Sequence, residues 1–129
     1  GAAVLAAHGQ SIAFSPELAI DGRWGDTSCW KSATPGRGVL VVELPEATEI
    51  RQVFFSRSRD GIRQDGTPSA GYVEVSADGQ TWQRVGELRS AQPTGQTVQF
   101  TPRRAKWVRL VVTATVDGKE VVVDDLRVD

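Results

Sequence analysis

A chain of 129 residues, 40% of them hydrophobic and 24% charged, carries enough apolar side chains for one packed core and too many for a disordered segment. Lys and Arg number 15 against 16 Asp and Glu, a net charge of −1, which excludes the basic excess of a general nucleic-acid binder. No stretch reaches the ~18 apolar residues of a membrane-spanning helix, and the single Cys29 excludes an internal disulfide. Residues 1–129 are therefore expected to form one domain, monomeric when isolated. Gly1-Ala2-Ala3 lacks the basic start of a secretory leader. With no methionine anywhere, the chain is expected to be a piece of a longer protein.

In chain order, apolar runs punctuated by Gly, Pro and Asp-Gly predict strands over 2–8, 39–44, 50–57, 71–77, 81–86, 96–101, 106–113 and 120–128. His8, the one histidine, falls near the end of the first run and is expected at the surface. After it, Ser15-Pro16-Glu17-Leu18 has a capping serine and a proline at the first helical position, room for one helical turn before Asp21-Gly22. Val39-Leu40-Val41-Val42 is apolar on both faces and predicts a strand covered on both sides. Of the adjacent Phe54 and Phe55, one must face outward. Val73 and Val75 oppose Tyr72 and Glu74, and Asp78-Gly79 joins this strand to the next as a hairpin. Val98 and Phe100 face inward against Thr97, Gln99 and Thr101. Asp124-Asp125 interrupts a run that is otherwise mostly apolar. Eight strands with almost no helix predict an all-β antiparallel jelly-roll sandwich. The stretches 21–37 and 57–70 are expected to be loops, and loops that long tend to carry function.

Four motifs in order resemble one family. Asp21-Gly22, Thr27 and Trp30-Lys31-Ser32 are similar to the opening of discoidin domains, also called coagulation factor V/VIII type C domains. Val75-Ser76-Ala77-Asp78-Gly79-Gln80-Thr81-Trp82 resembles their hairpin. Ala105-Lys106-Trp107-Val108-Arg109-Leu110 resembles a late strand, with Trp for the usual Tyr, and Asp125-Leu126-Arg127-Val128 the closing strand, with Asp for Glu. The resemblance spans nearly the whole chain. It implies an eight-stranded, galactose-binding-domain-like jelly roll, similar to family 32 carbohydrate-binding modules, which use loops at one end to hold sugars, phospholipid headgroups or proteins. Many animal members tie their ends with a disulfide, which a chain with one cysteine cannot do.

The resemblance also points to a structural Ca²⁺ beside the opening loop. Calcium takes six to eight hard oxygens. Asp21 would add a carboxylate, Thr27 a hydroxyl and carbonyl, and Asp125 a second carboxylate. The alternative is that Asp21 is only a turn residue and the aspartate pair sits at a frayed edge.

For ligand contact, Trp24 stands out: Gly22-Arg23-Trp24-Gly25-Asp26 surrounds it with glycine and charge. Such a Trp can stack on the apolar face of a sugar or enter a membrane interface, or it can lid the end of the sandwich. Trp30, Trp82 and Trp107 match core or near-core positions. The loop Ser56-Arg57-Ser58-Arg59-Asp60-Gly61-Ile62-Arg63-Gln64-Asp65 offers Arg57, Arg59, Asp60, Arg63 and Gln64 as a polar clamp. In sugar-binding relatives an Arg near this point donates to sugar hydroxyls, and guanidinium forks suit hydroxyl pairs or carboxylates. Alternatively, the loop is solvated and its ion pairs are worth little.

No catalytic arrangement is visible: there is no nucleophile elbow, zinc motif or phosphate loop. A glycosidase pair would have to come from Asp26, Asp60 and Asp117 across loops. The expected function is a non-catalytic carbohydrate-binding module, extracellular, periplasmic or at the cell surface, that targets a larger bacterial protein to a glycan or polysaccharide. The alternative is a protein-interaction module docking a neighbouring domain. Membrane binding ranks below both, since only one aromatic spike is apparent.

Overall fold

The computed structural model describes residues 6–8, 30–58, 61 and 64–129. The strands are β1 (Ala6–His8), β2 (Trp30–Pro35), β3 (Gly38–Ser56), β4 (Pro68–Ser76), β5 (Gln83–Glu87), β6 (Gln96–Thr115), β7 (Glu120–Val123) and β8 (Asp125–Val128). All pairings among the described residues are antiparallel. One sheet runs β1-β3-β6-β4-β5, with β8 also on β3; the other pairs β2 with β7. No helix occurs among the described residues, and the single turn expected at 15–18 lies outside them.

Two expected strand pairs are each one long strand bent at a proline. Between Glu43↔Trp107 and Thr48↔Ala105, β3 advances five residues while β6 advances two. Between Ile50↔Arg103 and Gln52↔Gln99 the surplus passes to β6. Pro45 and Pro102 lie within these surplus segments, where a missing N–H costs no ladder bond. Bulges of this kind turn a strand. They bring the inward rows Leu40, Val42, Leu44 and Ile50, Val53, Phe55 into one core with Val73, Val108, Leu110 and Val112. Each such side chain, fully buried, contributes about 1.5–3 kcal/mol.

Three expectations need correction. The stretch 21–37 was expected to be loop, yet it contains β2, whose Trp30 is fully buried in the core. Gly38 makes room for it: a Cβ there would sit 2.8 Å from the Ser32 Cβ and 3.0 Å from the indole. The run 120–128 is two strands, because at Asp124 the chain leaves β2 as its partner and joins β3. Val39 to Val42 is covered on one side only: Leu40 and Val42 are buried while Val39 is 39% exposed. The alternation at 96–101 is as expected, with Val98 buried and Phe100 partly buried against the core. Phe55 is the inward member of its pair.

Candidate functional site

Loop 57–67 leaves the end of β3 and enters the start of β4, and hydrogen bonds tie it to its neighbours as one rim. Arg57 N and Ser58 N both donate to Pro93 O at 2.9 Å, which joins it to loop 88–95. Val116 N donates to Thr67 O at 3.0 Å and Gly66 N to Asp117 Oδ1 at 3.2 Å, which joins it to turn 116–119. Gly36 N donates to Lys119 O at 2.8 Å and brings in the turn after β2. Val122 N donates to Gly66 O at 3.1 Å, so β7 supports the rim from below. Gly66 fits because it has no side chain: its φ is +71°, and a Cβ would lie 2.3 Å from Glu120 O.

The footing of the loop is an ion pair. Arg57 Nη2 lies 2.8 Å from Asp65 Oδ1, and Arg57 Nε donates to Asp65 O. The arginine side chain is 2% exposed and the aspartate 44%. Burial alone would raise the Asp65 carboxyl, but the hydrogen bond and charge of Arg57 outweigh it and hold the group below the usual carboxylate range. The loop is thus closed on itself over eight residues by a charge-assisted contact.

A model of the F5/8 type C domain matches residues 5–123. The chain belongs to this family. No curated protein matches the sequence. Among solved structures, the fifth family 32 module of a Clostridium perfringens enzyme, in complex with GalNAc-β-1,3-galactose, has a TM-score of 0.81 at 20% identity. The match covers 95% of this chain and 91% of that one. A pectin-binding carbohydrate-binding module matches at 0.81 and 20%, over 100% and 92% of the two chains. The family 32 module of AlyQ, in complex with 4,5-unsaturated mannuronic acid, matches at 0.81 and 16%, over 99% and 96%. At these identities the likeness establishes the shared jelly-roll fold.

Within this F5/8 type C domain, the rim gathers some of the expected site residues. Gln64 is exposed, and its backbone carbonyl accepts the Thr67 hydroxyl at 2.6 Å. Arg57, expected as one donor of the polar clamp, instead has its side chain buried and paired with Asp65. Trp24, Arg59, Asp60 and Arg63 lie outside the described residues. Asp117, weighed as one carboxylate of a glycosidase pair, accepts Gly66 N and Lys119 N, so it braces two turns; Asp26 and Asp60 lie outside the described residues. Sequence reasoning reads Asp65-Gly66 as a turn pair, and Gly66 does take a positive φ of 71°; it gives no bracing role to Asp65 and none to Pro93.

Of the expected calcium ligands, Asp21 and Thr27 lie outside the described residues. Asp125 is buried at the start of β8, opposite Ser56, and Arg127 Nε donates to its Oδ2 at 3.1 Å. Its neighbour Asp124 is fully buried and accepts the Ser56 hydroxyl. Buried carboxylate oxygen suits a hard cation. Among the described residues, however, no three His, Cys, Asp or Glu side chains gather as a metal-binding group.

A larger recess than the cleft-sized hollows elsewhere among the described residues lies away from loop 57–67. It measures about 890 Å³ and is walled by Ala33, Thr34 and Arg37 on one side and Val39, Val41 and Val111 on the other. Among the described residues its lining is largely apolar, with Arg37 as the charged member and Ser32, Thr34 and Thr113 as hydroxyl groups.

Proposed function

We propose that this domain is a non-catalytic carbohydrate-binding module, and that its rim holds a larger secreted or cell-surface protein on a glycan. The observation that carries this reading is the braced loop 57–67. Residues 57–58 and 64–67 of the loop are anchored by a buried arginine and by bonds to three neighbouring segments, so they lose little freedom when a ligand arrives, which favours affinity. The similar solved structures include modules described with an amino sugar disaccharide, a pectin and an unsaturated uronic acid. Arg59, Asp60, Arg63 and Gln64 would supply donors and acceptors, with Trp24 as a stacking surface. Calcium held by Asp21, Thr27 and Asp125 would brace the opening loop; a melting temperature unmoved when Ca²⁺ is added to chelator-stripped protein overturns that part.

A glycan array, backed by affinity electrophoresis in polysaccharide gels, tests the main reading. Retention that is lost in Trp24→Ala and Arg59→Ala, with melting temperature unchanged, is the expected result. Silence on both supports refutes it.

A further inference from the structure

β4 runs from the rim at Pro68 to the hairpin at Ser76, nine residues or roughly 26 Å away. At that far end the hairpin and the proline corner of β6 enclose a cleft of about 410 Å³, lined by Val75, Ser76, Thr81, Gln83, Arg103 and Arg104, among others. That is within the ~300–1,000 Å³ of ordinary small-ligand sites.

The charges of the cleft are left uncompensated on one side. Arg103 Nη1 donates to the neutral Gln83 Oε1, and among the described residues neither guanidinium forms an ion pair. Glu49 stands opposite Arg104 in the β3–β6 register without an ion pair joining them. The one acid lining the cleft among the described residues, Asp78, is turned onto its own hairpin: its Oδ1 accepts Thr81 N at 2.7 Å, Gln80 N at 2.8 Å and Ser76 Oγ at 3.0 Å. Those bonds also occupy the turn N–H groups that would otherwise cradle a phosphate. What remains is the Arg103 guanidinium, whose planar fork matches a carboxylate, with Arg104 adding a second positive charge to the lining. Beside it are the Gln83 amide for hydroxyls and the exposed, apolar Ala77 for a ring face.

We infer that this cleft is a second binding site, separate from the rim, for a carboxylate-bearing sugar residue of an acidic polysaccharide. The Arg103 guanidinium holds the carboxylate, Arg104 adds charge beside it and the Gln83 amide takes a neighbouring hydroxyl. Two sites at opposite ends of one domain would let it bridge two acidic chains or two stretches of one chain. Avidity would then exceed either affinity alone.

The test is an amide-shift titration of the isotope-labelled 129-residue chain with a galacturonate oligomer. Shifts at Thr81, Gln83, Arg103 and Arg104 are expected, weakened about tenfold in R103Q/R104Q and retained in part by R104K. Increasing salt should weaken them. Shifts confined to residues 61–67 overturn the second site and leave the rim reading intact. Shifts at the hairpin end with none at the rim uphold it while the rim reading fails. Equal shifts from a neutral galactan oligomer, or from acetate or sulfate at equal concentration, overturn the assignment to an acidic sugar.

Discussion

Gly66→Ala probes the rim without touching a side chain that could meet a ligand. Residue 66 is fixed at both backbone groups, its N–H on Asp117 and its carbonyl on Val122 N, so it cannot rotate away from φ +71°. An L-residue in that region costs about 1–2 kcal/mol. The added methyl would lie 2.3 Å from Glu120 O and 2.8 Å from a Val122 methyl. The first neighbour is strand backbone, and overpacking of this kind costs about 1–3 kcal/mol. Together these give a loss of about 3 kcal/mol, or a fall in melting temperature of roughly 10 °C for a domain of this size. The chain relieves the clash by lifting loop 57–67 off β7, so glycan retention should fall as well. Calorimetry and gel retention on the same preparation read both effects. A melting temperature within 2 °C of the parent, with unchanged retention, would refute the claim that β7 supports the rim through this residue.

Replacing Arg57 by Met and Asp65 by Asn, singly and together, measures the brace. A coupling of about 1 kcal/mol is expected, reduced from the buried-pair range because Asp65 is 44% exposed; additive losses would show that the pair does not act as a unit. Asp78 is held down to about 2 from 3.8, first by the Thr81 and Gln80 N–H groups and then by Ser76. A depressed carboxyl stabilises above its unfolded pKa, so the hairpin turn keeps this contribution above about pH 4 and loses it between pH 4 and 2. Amide exchange at Gln80 and Thr81 should accelerate over that window, and in Asp78→Asn the dependence should vanish. Gln64→Ala removes an exposed side chain and should leave unfolding free energy within about 0.5 kcal/mol. It should also lower glycan retention; undiminished retention would remove Gln64 from the site.

Local pattern was enough for much of the fold. The alternation of Val73 and Val75, the Asp78-Gly79 turn and the inward Val98 are properties of neighbouring residues, and the structure reproduces them. The four motifs carried the family for the same reason, since each is a short run tied to one turn or strand. The corners of β3 and β6 were half visible as Pro45 and Pro102, but a proline marks an interruption without saying whether the chain continues in the same ladder. That depends on the register with a strand some sixty residues away. The partner switch at Asp124 and the burial of Arg57 are of the same kind. Sequence specified a charged residue at position 57; only packing made it a brace, because exposure is set by what the rest of the chain lays over a side chain. The pairing of Arg103 and Arg104 with a cleft likewise required the hairpin and the corner to meet. Short-range chemistry thus determined the elements and their faces, while long-range register decided which charges were buried, which were satisfied and which were left open to a ligand.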